Sequence, residues 1–255
     1  FGMLNEELPN FIQGFYLLGS VALEDYQEGR SDIDFAALTN GPVEKGQADR
    51  LAHIHRIVGK ATEQPFDGFY IEPGCLSETP DTNAYVCFTH DGVFNRHGVC
   101  YEINPVTWEL WSQSGIAVLG PSPEDLSIKT DAQALRDFQI RNLQDYWQGW
   151  IAGMNEQLQQ KPPQYEADAA VLAWGILGVA RIAYTLATGQ IISKSGAGLW
   201  ASDRYGPTGE SLIQSALAAR QGRLKTVPVA RIGDALELMR KIISEISGPD
   251  CRKLL

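Results

Sequence analysis

The pattern of apolar residues changes character around Pro121 and Pro123, and this restricts the fold more than any other feature of the chain. Ahead of that point, apolar runs of strand length are punctuated by turn residues. Residues 15–18 end in Gly19-Ser20, residues 31–38 are stopped by Gly41-Pro42, and residues 66–71 make a third such run. Residues 84–88 form a weaker fourth, set among Asn, Asp and Gly. Between the second and third runs, Ala48, Leu51, Ile54 and Val58 recur at helical spacing over residues 43–58. After Pro123 the helical period takes over. Residues 131–160 predict a long amphipathic helix carrying Leu135, Phe138, Leu143, Tyr146 and Trp150. Residues 167–188 are apolar nearly all round, as a buried helix is. Ser193 and Ser195 offer N-cap chemistry for a short helix, and residues 211–221 and 229–246 complete the helical set. The expected architecture is α+β: a mixed sheet with helices in residues 1–125, then an all-α bundle in residues 126–255.

Composition narrows the function classes. A chain of 255 residues has room for one large domain or two ordinary ones. Its 44% hydrophobic and 20% charged content is that of a globular protein, not a disordered one. No window approaches the roughly 18 uninterrupted apolar residues of a membrane span. No basic segment followed by an apolar core is visible near the N-terminus, so a cytoplasmic location is expected. The cysteines (Cys75, Cys87, Cys100 and Cys251) are scattered, with neither a Cys-x-x-Cys pair nor zinc spacing, and are expected to be free thiols. The net charge of −10, from 31 acidic and 21 basic residues, argues against a nucleic-acid surface and suits a cationic small substrate. A monomer is the expected state. His53 and His55 lie two apart on a helix, face different directions and are not expected to form a metal pair. His90 and His97 fall in a loop-rich stretch with Asp91 and Arg96. Trp108, Trp111, Trp147 and Trp150 have the spacing of core residues.

The chemistry concentrates in residues 19–35. Alternation along a strand puts Asp32 and Asp34 on one face, with Cα atoms about 7 Å apart. Two like charges so placed disfavour each other unless a cation sits between them. Taken alone, an Asp-x-Asp at a strand start is an ordinary solvated end. Gly19-Ser20, closing the preceding strand, changes that reading. A Gly-Ser turn offers backbone N–H groups and a hydroxyl to an anion such as a phosphate. Mg²⁺ favours a few carboxylates together with phosphate oxygens and water. The two features together make a nucleoside-triphosphate site.

Gly19-Ser20 followed by Ser31-Asp32-Ile33-Asp34 resembles the signature of the DNA polymerase β-like nucleotidyltransferase superfamily. The segment from Arg181 to Lys194 (RIAYTLATGQIISK), followed by Trp200-Ala201, is similar to the helical C-terminal domain of its streptomycin/spectinomycin adenylyltransferase branch. The resemblance implies transfer of AMP from ATP to a hydroxyl of an aminoglycoside or aminocyclitol antibiotic. It implies that Gly19, Ser20 and Ser31 hold the nucleotide phosphates and that Asp32 and Asp34 bind Mg²⁺. Arg181 and Lys194 match basic residues that reach the triphosphate. The branch also carries a third acidic residue, on a neighbouring strand, that binds metal and takes the hydroxyl proton. Asp67 is the positional match, an Asp where Glu is expected, with Glu72 the runner-up on the opposite strand face. Glu102 is a candidate for contact with the cationic acceptor. Two other readings remain: a related transferase acting on another small molecule or a protein hydroxyl, and a silent nucleotide-binding protein. The large helical half argues against a protein acceptor, and the intact Asp-x-Asp against silence.

Overall fold

A computed structural model describes residues 2–62, 64–162 and 164–247; Cys251 lies outside them. The chain forms two compact units, Phe1–Leu135 and Arg136–Leu255.

The first unit contains α1 (Gly2–Glu7), β1 (Ile12–Leu17), a one-turn helix α2 (Gly19–Ala22), β2 (Ile33–Thr39) and α3 (Lys45–Ala61). It continues with β3 (Phe66–Ile71), β4 (Tyr85–His90), β5 (Val93–Val99), α4 (Pro105–Ser114) and β6 (Ile116–Leu119). The six strands are ordered β5-β4-β3-β2-β1-β6. β2 and β3 run parallel, and every other neighbouring pair is antiparallel. β2 is central because its run Phe35-Ala36-Ala37-Leu38 is buried on both faces. α3 is the crossover that lets β2 and β3 run parallel. It starts at a capping box between Glu44 and Gln47 and buries Ala48, Leu51, Ile54 and His55. That stripe packs against Phe15, Phe35, Ala37, Tyr70 and Cys87 on one face of the sheet. His55 is no ordinary helix residue: its Nε2 lies 2.8 Å from Tyr70 Oη, and its ring stacks on Phe35 and Phe94. The opposite face carries Tyr16 and Phe69, covered by Trp108 and Trp111 of α4. Asp34 and Asp67 alternate with Ala36 and Phe69, so the carboxylates share the α4 side.

Two strands of this unit go beyond the sequence expectation. β5 (Val-Phe-Asn-Arg-His-Gly-Val) is an edge strand with polar and half-exposed residues, and β6 has four residues at the other edge. β5 lacks the apolar run that marks a buried strand, and β6, Ile-Ala-Val-Leu, is an apolar run of only four residues, three of them exposed.

The second unit takes in most of α5 (Ala132–Asn142), then α6 (Gln148–Gln159), β7 (Glu166–Asp168) and α7 (Ala170–Thr188). It ends with α8 (Lys194–Ser202), α9 (Gly206–Arg220), β8 (Thr226–Pro228) and α10 (Val229–Ser247). α7 is the buried hub, contributing Leu172, Ile176, Leu177, Val179, Ala180 and Ala183 to the core. The helix expected over residues 131–160 is divided by a π turn, Leu143–Trp147, which sinks Leu143 and Trp147 into that core. β7 and β8 pair as a short antiparallel ribbon beside the helices.

Candidate active site

Parallel pairing of β2 and β3 sets Asp34 directly beside Asp67. β1 ends at Leu17, two residues before Gly19, and Leu18 N donates to Asp34 O at 2.9 Å, tying that end to the carboxylate strand. Gly19 has φ +54°, a conformation that favours glycine. A Cβ there would overlap Asp34 Oδ2 and stand 2.5 Å from its Cγ. The Gly19 backbone therefore lies against the Asp34 carboxylate, closer than any other residue type permits. Beside it, Ser20 Oγ is buried and makes no hydrogen bond among the described residues. A buried hydroxyl without a partner is costly unless a ligand supplies one. Ser31 is buried, and its Oγ accepts from Gln27 N at 3.1 Å, which closes the loop before β2. Asp32 is exposed at the strand entrance, and Asp34 is partly buried.

Asp67 is 5% exposed, and both of its oxygens are engaged. Asp91 N donates to Oδ2 at 2.7 Å and Gly92 N to Oδ1 at 2.9 Å. Asp91 and Gly92 form the two-residue turn between β4 and β5, closed by the His90–Val93 pair. Both have positive φ (50° and 70°), the geometry of a type I′ hairpin turn. The turn also brings His90 and Asp91 to Asp67: a ligand atom from each of the three lies within 4.8 Å of the others. Sequence reasoning left His90 in a loop and gave the turn no role. The Asp-Gly between two strand-like runs was the available signal.

Glu102 joins the same neighbourhood from the segment before α4. Burial pushes its carboxyl up; the His90 imidazole opposes that shift, and Asp67 and Asp32 add to it. Glu72, by contrast, is exposed just past the far end of β3. Five residues of strand, roughly 16 Å, separate it from Asp67. The carboxylates on this face are all oxygen donors, and Gly19-Ser20 adds a close backbone approach and an unsatisfied hydroxyl. That combination fits a hard divalent cation carried with a phosphate.

The remaining candidates belong to the helical unit. Arg181 is half-buried on α7. Lys194 opens α8 after its N-cap Ser193, whose Oγ accepts from Gly196 N at 3.1 Å. Lys194 Nζ lies 4.9 Å from the ring centre of the exposed Trp174.

A sheet that pairs two carboxylate strands beside a Gly-Ser turn defines a nucleotidyltransferase, and a family model for the nucleotidyltransferase domain matches residues 3–64. That match stops just short of Asp67. Residues 144–244 match the aminoglycoside adenylyltransferase C-terminal domain, and the two matches together place the chain among the aminoglycoside adenylyltransferases. Among solved structures it resembles spectinomycin adenyltransferase AAD(9) from Enterococcus faecialis, determined with ATP and spectinomycin. The TM-score is 0.69 at 14% identity, over 97% of this chain and 96% of that one. No curated protein matches the chain by sequence.

Proposed function

We propose that the chain transfers AMP from ATP to a hydroxyl of an aminocyclitol or aminoglycoside antibiotic of the streptomycin or spectinomycin type, and so confers resistance. The observation that carries this reading is the Asp34–Asp67 pair with Gly19 against Asp34 and the unsatisfied Ser20 hydroxyl at its side. The helical-domain match and the ATP and spectinomycin bound by the solved neighbour support the choice of donor and acceptor.

Residues 1–125 serve as the catalytic domain and residues 126–255 as the helical domain. Gly19 and Ser20 receive the phosphates, with the Ser20 hydroxyl donating to a phosphate oxygen, and Ser31 shapes the loop beside them. Asp32, Asp34 and Asp67 hold Mg²⁺, which when bound neutralises charge on the phosphates and on the attacking and leaving oxygens. Asp67 accepts the proton of the acceptor hydroxyl; it stands beside Asp34, and Glu72 does not. Glu102 receives a cationic group of the acceptor. Arg181 and Lys194 bind the triphosphate. The enzyme works as a monomer in the cytoplasm.

Mass analysis of streptomycin, spectinomycin and a panel of related drugs, incubated with enzyme, ATP and Mg²⁺, tests the reading. The expected result is one acceptor gaining the mass of a single AMP, with the gain lost in Asp32→Asn and Asp34→Asn and on chelation of the metal. Full transfer by either variant would overturn the metal assignment. A panel with no modified member would overturn the acceptor class.

A further inference from the structure

We propose that the β4–β5 turn is a positioning device for the catalytic carboxylate: the backbone N–H groups of Asp91 and Gly92 fix the direction in which Asp67 presents its remaining lone pairs. The inference rests on the reading of Asp67 as the third carboxylate and assigns a role to residues outside the Gly-Ser and Asp-x-Asp motifs.

Pairing of β2 and β3 places only the Asp67 backbone beside Asp34. It leaves two side-chain torsions free, and a carboxylate on a short arm can rotate its oxygens away from a reacting centre. Here that freedom is removed. One amide donates to each oxygen, at 2.7 and 2.9 Å, so neither oxygen can turn without breaking a bond. Each oxygen keeps a second lone pair, directed away from the turn. The tight turn, with both residues left-handed, brings the successive N–H groups of Asp91 and Gly92 to one side, where both meet the carboxylate. The same two φ values that close the hairpin therefore build the holder. This accounts for a tight Asp-Gly turn opposite the third carboxylate, and it makes the geometry of the site depend on two strands, β4 and β5, that carry none of the motif carboxylates. Misplacing a reacting group by about 1 Å is enough to lose about 100-fold in rate.

The bland alternative is that Asp67 merely satisfies the amides of a turn. Three variants of the full-length enzyme separate the two. Gly92→Val puts a β-branched residue at φ +70° and disrupts the turn. Gly92→Asn keeps both the left-handed conformation and the donor. Asp67→Asn removes the charge that the turn holds. We expect Gly92→Val to lower kcat about 10- to 100-fold with the ATP KM nearly unchanged, and Gly92→Asn to restore most of the rate. In Mn²⁺ titrations followed by electron paramagnetic resonance, Gly92→Val should weaken binding in the wild-type background and add nothing to Asp67→Asn. Wild-type kinetics and Mn²⁺ affinity in folded Gly92→Val would overturn the inference and leave the proposed function standing. Equal losses in Gly92→Asn and Gly92→Val would overturn it too. An Asp67→Asn enzyme with full activity would instead remove Asp67 from the site. Should Gly92→Val not fold, Asp67→Glu serves: the extra methylene carries the carboxylate off both amides, and unchanged kcat would reject the proposal.

Discussion

Gly19 shows how one residue can be spared by the fold and required by the site. Its φ of +54° disfavours any side chain by roughly 1–2 kcal/mol. A Cβ there overlaps the Asp34 carboxylate, which can rotate away, and stands 3.0 Å from the Asp34 Cβ, which cannot. Gly19→Ala should therefore fold, with a melting temperature lowered by a few degrees, and lose about 100-fold or more in transfer rate as Asp34 is displaced. Circular dichroism with a coupled pyrophosphate-release assay checks both halves; a variant with full activity would show that Asp34 need not occupy its present position. The sequence already held Gly19-Ser20 and Asp-x-Asp as a pair, because both lie within elements whose internal spacing is covalent. It did not single out the turn amides of Asp91 and Gly92. They reach Asp67 across 24 and 25 residues, through strand pairing alone.

At the scale of elements, the π turn and α7 are fitted to each other. The turn directs Trp147 at Gly178, where a Cβ would stand 2.5 Å from the indole Cη2. Gly178→Ala brings two opposed effects. Helix propensity favours Ala by about 1 kcal/mol, and overpacking against a buried ring disfavours it by about 1–3 kcal/mol. Trp147 is 5% exposed and hemmed in by Trp150 and Trp174, so overpacking should win, and the urea midpoint should fall. Gly153→Ala in α6, where nothing lies within 4 Å of the added Cβ, should raise the midpoint through propensity alone. Equal shifts of one sign would refute the packing argument. Periodicity predicted one helix running straight through the turn because π and α segments share almost the same apolar pattern. The interruption comes from the indole demanding space in a core built by other helices.

At the scale of the molecule, the two units differ in their response to acid. All four histidines (His53, His55, His90 and His97) fall in the sheet unit. Burial holds His55 at about 4, against 6.5 for a free imidazole. Between those values the unfolded chain binds the proton and the folded chain does not, so the stabilisation is complete above pH 6.5 and is lost as pH falls toward 4. The gap corresponds to about 3 kcal/mol. Glu102, whose carboxyl is pushed up, acts in the opposite sense and offsets part of this. Urea unfolding followed by fluorine resonances of labelled tryptophans separates Trp108 and Trp111 of the sheet unit from Trp147, Trp150, Trp174 and Trp200 of the helical one. From pH 7 to pH 5 the first pair should lose midpoint more than the second group, and His55→Gln should flatten that difference; parallel pH slopes would contradict it. The sequence by itself determined the division into a mixed half and a helical half, the Gly-Ser and Asp-x-Asp motifs, and the face that the two aspartates share. Those properties follow from residue periods of 2 and 3.6 and from covalent distance along the chain. Only the tertiary structure decided that Asp67 and not Glu72 stands beside Asp34, that a hairpin turn holds it, and that Glu102 and His90 join the group. Strand register and loop return are selected by burial on both faces of the sheet, a condition set by many distant residues together and by none of them locally.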